Sequence, residues 1–263
     1  MAFITLRYYS EVLGMQRELY AIVPQRSRQG EIGTQRGKAL EGKCLYLLHG
    51  LSDDHTIWMR RTSIERYAEE YGLTVIMPEG DSSFYTNMKH GGDYYTHIAK
   101  ELPEIAREFF GVSGRREDSL IGGLSMGGYG ALKIALRETG AYSACVALSP
   151  VTDLHYLENH PRLYDAILGE GTPIPPEENP IDLIDTHAGD LEKPDIFLAI
   201  GTEDFLYELA QTFRKRMETL PYPFTYREGP GIHNWVFWDA RIQEALAWLA
   251  EKTGGSAENQ ALL

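Results

Sequence analysis

The chain has 263 residues, enough for one large α/β domain with a substantial core or for two small domains. Hydrophobic residues make up 43% and charged residues 24%, which is typical of a folded globular protein and not of a disordered one. The 25 Lys and Arg against 38 Asp and Glu give a net charge of -13, which repels polyanions. We therefore expect neither nucleic acid nor an acidic membrane surface as a partner.

The opening "MAFITLRYYS" lacks the basic stretch and apolar core of a signal peptide, and no apolar run reaches transmembrane length. The sequence therefore predicts a cytoplasmic protein. Cys44 and Cys145 are the two cysteines, and each lies within an apolar run. This setting favours small buried side chains over reactive thiols, and two cysteines cannot form a disulfide framework.

Two N-terminal segments, "FITLRYYS" and "QRELYAIVP", alternate apolar and polar residues and predict an antiparallel hairpin at the edge of a sheet. Five later segments are near-continuous apolar runs of strand length that end in turn residues. Such runs are typical of parallel strands covered by helices on both faces. They span residues 43–50, 73–78, 119–124, 144–150 and 195–201.

Apolar residues recur with helical spacing between these strands. The pattern predicts helices around 64–71, 94–109, 131–135 and 206–217, and a last helix from about 235 to 251. Pro103 should kink or split the second helix. Alternating strands and helices predict right-handed βαβ units, and hence a mostly parallel, doubly wound sheet with helices on both faces and the hairpin as its antiparallel edge.

The remaining segments are predicted loops. Residues 25–42 and 169–180 have the composition of surface loops, and the tail 254–263 should be flexible. The span 151–190 fits no sheet element and is interpreted as a cap-like excursion over the active site. We find neither an internal repeat nor a dividing linker, so residues 1–263 are predicted to form a single domain.

The stretch "GGLSMGGYG" around Ser125 has two readings. A Walker-type phosphate loop is disfavoured because Gly128 and Tyr129 occupy its Lys and Ser/Thr positions, and the G-x-G-x-x-G pattern is absent. Residues 123–127 instead match G-x-S-x-G between a predicted strand and a predicted helix, which is the context of a nucleophile elbow. Glycine two positions either side of the serine avoids clashes in so tight a turn. The pattern predicts Ser125 as an exposed nucleophile.

A serine nucleophile needs an imidazole to take its proton and a carboxylate to orient that imidazole. In this context the chain order is Ser, acid, His. Asp204 follows a predicted strand in "LAIGTEDFLY", and His233 lies in the glycine-rich turn of "EGPGIHNWVFW". Glu203 is an adjacent alternative acid. Asp185 and Asp190 also precede His233, but neither ends a predicted strand.

The other seven histidines have simpler interpretations. His49 precedes the nucleophile and ends a strand, so a structural role is favoured over a basic one. The rest are interpreted as solvated or locally hydrogen-bonded: His55, His90, His97, His155, His160 and His187.

An oxyanion hole takes one backbone N–H from the residue after the nucleophile and one from the loop after the third strand. Met126 and, in "HGLSDD", Leu51 are the predicted donors. Three aromatic residues, Trp58, Phe205 and Trp235, are candidates for a substrate pocket, with ordinary packing as an equal alternative.

Taken together, these motifs resemble the esterase D branch of the α/β-hydrolases, especially the bacterial tributyrin-esterase-like proteins. The resemblance spans nearly the whole chain and rests on "YYSEVLGMQREL", "YLLHGLSDDHTIWMRRTSIERYAEE", "GLSMGGYGALKIAL", "GTEDFLY" and "GIHNWVFWD". It implies an α/β-hydrolase fold and a carboxylesterase without cofactor or metal that prefers short acyl chains, from acetyl to butyryl. It also implies Ser125, Asp204 and His233 as the triad, which favours Asp204 over Glu203.

The same branch includes S-formylglutathione hydrolases and acetyl-xylan and feruloyl esterases, which are alternative functions. Formylglutathione hydrolases usually carry Gly-His where this chain has Gly123 and Leu124, so the glutathione thioester is less favoured. An acyltransferase, a peptidase and a non-catalytic binding scaffold are further alternatives. The expected partner is a small-molecule ester, and a homo-oligomer is left open.

Overall fold

The computed structural model describes residues 1–25, 32 and 36–254. Eight strands form one sheet: β1 Ala2–Ser10, β2 Met15–Val23, β3 Cys44–Leu48, β4 Thr74–Pro78, β5 Ser119–Leu124, β6 Ala144–Leu148, β7 Asp195–Gly201 and β8 Phe224–Gly229. Their order is β1-β2-β4-β3-β5-β6-β7-β8. Strand β2 pairs antiparallel with β1 and β4, and all other neighbours pair in parallel. The predicted mostly parallel sheet with an N-terminal antiparallel edge is confirmed.

The α-helices are α1 Ile57–Arg61, α2 Ile64–Tyr71, α3 Tyr94–Thr96, α4 Leu102–Phe110, α5 Met126–Arg137, α6 Pro161–Leu168, α7 Pro180–His187, α8 Tyr207–Met217 and α9 Trp235–Thr253. Short 3₁₀ turns span Arg116–Asp118, Leu154–Asn159 and Pro176–Glu178. Alternate residues of the buried strands point into two apolar layers. One layer includes α1, α2 and α9, and the other includes α4, α5 and α8. The sheet is therefore doubly wound, as the alternation predicted.

The predicted helix over 94–109 is split, as expected from Pro103. A π-helical turn, His97–Glu101, separates α3 from α4. Pro103 has no N–H to donate to the carbonyl of Ala99, and its ring crowds that carbonyl, so the helical register slips just ahead of it.

His97 differs from its interpretation as solvated or locally bonded. It is fully buried, and its ring bonds to Ser10 and Tyr8 of β1 as well as to Glu101. Burial lowers the pKa of His97, and Glu101 opposes that shift. The side chain ties the N-terminal hairpin to the π-helical turn, a long-range role that local sequence does not reveal.

Several predicted loops are only partly as expected. Half of 25–42 and nearly all of 254–263 lie outside the described residues, but Leu40 is buried and its N–H donates to the carbonyl of Tyr71. The loop 169–180 ends in buried Asn179, whose Oδ1 accepts the N–H of Leu154. The span 151–190 contains no strand within the described chain, as predicted, but it does contain α6 and α7.

A buried ion-pair network fastens this span to α5. The Nζ of Lys133, whose side chain is fully buried, lies 2.7 Å from one Glu178 oxygen, and Arg137 lies 2.6 Å from the other. The backbone carbonyl of Glu178 also accepts the hydroxyl of Tyr129 at 2.7 Å. Burial lowers the pKa of Lys133 to about 8, and the attraction of Glu178 opposes that shift.

No helix among residues 1–25, 32 and 36–254 combines the length and the apolarity needed to cross a bilayer.

Replacing Glu178 with Ala should leave the buried ammonium of Lys133 without its carboxylate partner. The free energy of unfolding, measured by urea denaturation, should fall by about 3 kcal/mol. Glu177→Ala, at the exposed neighbouring position, is the matched control and should change it by less than about 0.5 kcal/mol. The double variant Glu178→Ala/Lys133→Met should recover part of the loss, because no unpaired ammonium is left buried. If Glu177→Ala and Glu178→Ala lowered the free energy of unfolding equally, the result would contradict a stabilising role for the ion-pair network.

Candidate active site

The turn between β5 and α5 bends sharply at Ser125, which has φ 52° and ψ -117°. A residue with a Cβ adopts such a conformation only where the surrounding structure holds it. A Cβ on Gly123 would lie 2.5 Å from the Gly127 backbone, and one on Gly127 would lie 2.5 Å from the carbonyl oxygens of Leu48 and His49. Both positions therefore admit only glycine.

Three side chains form one hydrogen-bonded chain at the carboxyl edge of the sheet. The Oγ of Ser125 lies 2.9 Å from Nε2 of His233, and Nδ1 of His233 lies 3.0 and 2.9 Å from the two oxygens of Asp204. A carboxylate only accepts hydrogen bonds, so the imidazole proton is on Nδ1 and Nε2 is free to accept from the serine hydroxyl.

Each member of this chain sits on a separate loop. Ser125 follows β5, Asp204 follows β7, and His233 lies between β8 and α9. Carboxyl ends of parallel strands meet at one edge, which brings residues far apart in sequence together. The Asn234 side chain accepts the N–H of Phe237 and so caps α9 directly after His233.

The Asp204 carboxylate is buried and well supplied with donors. Burial raises its pKa, but hydrogen bonds from His233 and from the Leu206 N–H, together with the Coulombic attraction of His233, outweigh burial, so the pKa of Asp204 lies below its usual value. The Leu206 N–H donates to Oδ1 at 2.9 Å. A carboxylate held charged beside an imidazole stabilises the protonated form of that imidazole.

The alternative acids are engaged elsewhere. Glu203 accepts the N–H of Gly231 at 2.6 Å. Asp185 pairs with Arg216, and Asp190 pairs with the ring of His187. Of the acids weighed from sequence, Asp204 is the one in contact with His233.

The two predicted oxyanion donors flank the serine. Met126 is the first residue of α5, and the Gly50–Leu51 peptide lies beside Ser125, since a Cβ on Gly50 would lie 3.7 Å from the Cβ of Ser125. Within residues 1–25, 32 and 36–254, neither the Leu51 nor the Met126 N–H donates to a protein acceptor. Both are thus available to a ligand oxygen.

His49 orients the first of these peptides. The Gly80 N–H donates to its Nε2 at 2.9 Å, so the ring proton is on Nδ1, which donates to the carbonyl of Gly50 at 2.8 Å. The Asp53 N–H donates to the same carbonyl at 3.3 Å. Carbonyl and N–H point in opposite directions across a trans peptide, so the Leu51 N–H is directed away from both partners. This agrees with a structural role for His49.

The three predicted pocket aromatics occupy different environments. Trp58 is 1% exposed and donates its indole N–H to the carbonyl of Leu48, so it packs inside the protein. Trp235 lies edge-on between Trp58 and Trp238, 5.2 Å from each. Phe205 is 66% exposed and lies 4.4 Å from the ring of His233, so it borders the open side of the imidazole.

Sequence reasoning missed Ser149 and Trp238. Trp238 packs edge-on against His233 at 4.9 Å and donates its indole N–H to the hydroxyl of buried Ser149 at 3.1 Å. Trp238 is the second tryptophan of "HNWVFW", one helical turn beyond Trp235, and this spacing is the sequence signal that could have identified it. In the part of the chain that the structure describes, no three His, Cys, Asp or Glu side chains group as a metal site.

The doubly wound sheet and the bent serine in contact with an imidazole and a carboxylate define the class of protein as an α/β-hydrolase. A family model described as "Putative esterase" matches residues 34–249. The chain therefore belongs to this esterase family, in its esterase D-like branch, and is a carboxylic ester hydrolase.

Individual relatives match this chain over nearly their whole length. FphF, a fluorophosphonate-binding serine hydrolase of Staphylococcus aureus, is 37% identical with a TM-score of 0.81, and the match covers 95% of this chain and 98% of that one. An S-formylglutathione hydrolase of Staphylococcus aureus is 37% identical with a TM-score of 0.80 over the same shares. An acetyl esterase of Caldicellulosiruptor saccharolyticus is 27% identical over 95% of this chain and 99% of its own.

Gly127→Ala should destabilise the protein by about 2–3 kcal/mol in urea denaturation, because the new methyl group would meet two backbone carbonyls that cannot rotate away. Helix propensity alone predicts the opposite sign, a gain of about 1 kcal/mol. Gly189→Ala is the matched control, since a Cβ there meets nothing within 4 Å. An unchanged or more stable Gly127→Ala would show that the turn is not sterically closed.

Proposed function

We propose that this chain is a serine carboxylesterase that hydrolyses short-chain acyl esters, from acetyl to butyryl, with Ser125 as nucleophile, His233 as base and Asp204 as acid. The observation that carries the proposal is the hydrogen-bonded chain from the Ser125 hydroxyl through His233 to the Asp204 carboxylate. Esterase and serine hydrolase relatives of matching length support it.

In the proposed acylation step, Nε2 of His233 takes the hydroxyl proton as the Ser125 oxygen bonds to the ester carbonyl carbon. The carbonyl oxygen becomes an anion and accepts the N–H groups of Leu51 and Met126, which is worth roughly 3–4 kcal/mol per donor in other serine hydrolases. The intermediate then collapses. The bond to the alcohol oxygen breaks, and that oxygen receives the proton from His233.

Deacylation repeats these steps with water. His233 takes a proton from the water as its oxygen attacks the acyl carbon, and the new oxyanion accepts the same two N–H groups. Collapse breaks the bond to the Ser125 oxygen, which recovers its proton from His233 while the carboxylic acid leaves. The charged Asp204 stabilises the imidazolium in both halves.

The proposal of short acyl chains is supported by the aromatic side chains that pack beside the imidazole. The indoles of Trp58, Trp235 and Trp238 pack edge-on in a rigid row that reaches His233. Phe205 borders the imidazole, and the apolar side chains of Leu51, Ile232 and Val236, near site residues in the sequence, are also exposed. We propose that small acyl groups occupy the space between this row and these apolar side chains, with the 151–190 span as a cap, since it leaves the sheet at the end of β6 beside Ser125.

Hydrolysis of S-formylglutathione is the second candidate, because a Staphylococcus aureus structure of that name is 37% identical to this chain. Two features disfavour it here. Leu124 stands where formylglutathione hydrolases usually have His, and the net charge of -13 repels an anionic tripeptide. The neutral short-chain ester is therefore the favoured substrate.

Ser125→Ala should lower kcat on p-nitrophenyl acetate by roughly 10⁵-fold, because the nucleophile is removed. Circular dichroism and thermal unfolding should match the wild type, and Ser113→Ala, at a serine beyond α4, should keep full activity. A serine-directed fluorophosphonate should label the wild type and Ser113→Ala but not Ser125→Ala. Full activity in Ser125→Ala would reject the assignment, and a wild type that neither turns over nor becomes labelled would favour a binding scaffold.

In a series of p-nitrophenyl esters from acetate to decanoate, kcat/KM should be highest between acetate and butyrate. S-formylglutathione, assayed in parallel, should give a lower kcat/KM than the best ester. A maximum beyond octanoate would contradict the short-chain site, and a higher value for the thioester would favour the second candidate. An alcohol acceptor added to the acetate assay should leave the released product mainly as acetic acid, whereas a transacylated product would favour an acyltransferase.

A further inference from the structure

The loop that carries Leu51 is held by a carboxylate from the neighbouring strand. This loop, residues 49–55, begins directly after β3 and ends just before α1, and we call it the Leu51 loop. Glu79 directly follows β4, which pairs in parallel with β3. Because the carboxyl ends of neighbouring parallel strands share one edge of the sheet, Glu79 lies beside the loop.

The Glu79 carboxylate contacts both the first and the last residue of the Leu51 loop. Oε1 lies 3.2 Å from Nε2 of His49. Oε2 accepts the backbone N–H of His55 at 3.3 Å and lies 3.2 Å from Nδ1 of the same residue. The carboxylate is itself oriented by the N–H of Asp81, which donates to Oε1 at 2.9 Å. One side chain therefore bridges the two ends of the loop.

The surroundings of Glu79 keep its carboxylate charged. Burial raises the pKa of Glu79, but hydrogen bonds from His49, His55 and the Asp81 N–H outweigh burial, so this pKa lies below its usual value. The ring of His55 lies between two carboxylates, since its Nε2 is 3.2 Å from Glu18 of β2. Burial lowers the pKa of His55, but the two carboxylates outweigh it, so the pKa is raised. The end of the loop is thus tied to β4 and to the N-terminal hairpin.

His49 passes this support on to the Gly50–Leu51 peptide. Its Nδ1 donates to the Gly50 carbonyl at 2.8 Å. In the neutral ring Nε2 accepts the Gly80 N–H, and in the protonated ring Nε2 carries a proton that faces Glu79. Nδ1 keeps its proton in both states. The Gly50 carbonyl therefore stays bonded, and the Leu51 N–H on the opposite side of the trans peptide keeps its direction.

We propose that Glu79 is a positioning residue for the reaction, whose carboxylate holds both ends of the Leu51 loop and so keeps the Leu51 N–H directed at the developing oxyanion. Among the described residues, the hydrogen-bond and ion-pair contacts of this carboxylate are with His49, His55 and Asp81. Glu79 therefore acts through the loop. The inference rests on the proposed function, because it takes the Leu51 N–H as an oxyanion donor.

Glu79→Gln should lower kcat about 10- to 100-fold and leave KM within about twofold, as loss of an outer partner of a functional group commonly does. The amide keeps the size of the side chain, but its NH₂ end cannot accept a hydrogen bond. Either the His55 N–H or the Asp81 N–H therefore loses its acceptor. The effect on kcat should not exceed the roughly 10²- to 10³-fold cost of losing an oxyanion donor outright.

A short trifluoromethyl ketone reports on the oxyanion contacts directly. The Ser125 oxygen bonds to the ketone carbon, His233 takes the hydroxyl proton, and the ketone oxygen becomes an anion that mimics the transition state. Its Ki should rise in Glu79→Gln by about the factor by which kcat/KM falls. A merely structural residue would lower the number of sites that a fluorophosphonate labels to completion, and leave kcat per labelled site and Ki unchanged.

Asp81→Asn is the matched control, because it makes the same carboxylate-to-amide change two residues further on. The Asp81 side chain pairs with Arg17 and Tyr94 and not with the Leu51 loop. Its φ of 48° is one that asparagine also adopts. Its kcat per labelled site and its Ki should equal those of the wild type. If Glu79→Gln does not fold, Glu79→Asp carries the test, because its charged side chain is one methylene too short to hold both ends of the loop.

The inference is supported if kcat per labelled site falls and Ki rises together in the Glu79 variant while Ser125→Ala is inactive. It is overturned if Ser125→Ala is inactive and the folded Glu79 variant keeps the wild-type kcat per site, or loses kcat with an unchanged Ki. Full activity in Ser125→Ala is a different outcome. It would remove the proposed function itself and, with it, any role for Glu79 in the reaction.

Discussion

The close approach of backbone to backbone where β3 meets the turn after β5 is the constraint on which the site depends. The carbonyl oxygens of Leu48 and His49 lie where a side chain on Gly127 would be, and Gly123 lies against Gly127 itself. Because both positions are glycine, the backbones can approach this closely, and the chain turns from strand to helix within one residue. Ser125 takes up the strain with φ 52°, and its hydroxyl is presented above the sheet at the first turn of α5.

The end of β6 links the Ser125 turn to the strand that precedes Asp204. Leu148 holds the backbone of Ser125, and Ser149 is held by Ala199 in the strand that precedes Asp204. Ser125 and Asp204 thus follow β5 and β7, the two strands that flank β6, and His233 contacts both side chains. Burial of Asp204 opposes its charge, and the donors around it restore that charge. The loop that carries Leu51 has separate supports, since the Nδ1–H of His49 and the N–H of Asp53 both donate to the Gly50 carbonyl.

Much of this arrangement follows from local sequence, and the remainder is set by contacts between distant residues. Apolar runs and the glycines around Ser125 predict the buried strands and the elbow, because each pattern is confined to a few neighbouring residues. Strand β8 was missed because this edge strand is half exposed and carries Arg227 and Glu228, so it lacks the apolar run of its neighbours. The hydrogen bond from Trp238 to Ser149 joins residues 89 apart in the sequence, so no local pattern predicts it.

The most direct test of the account is a crystal structure of the enzyme phosphonylated by a small fluorophosphonate, with the distances from the phosphonyl oxygen to the N–H groups of Leu51 and Met126 as the measurement. The account predicts a covalent bond to Ser125 Oγ and about 2.7–3.1 Å from that oxygen to both nitrogens. An adduct on another residue, or an oxygen turned to solvent with both N–H groups unused, would contradict it.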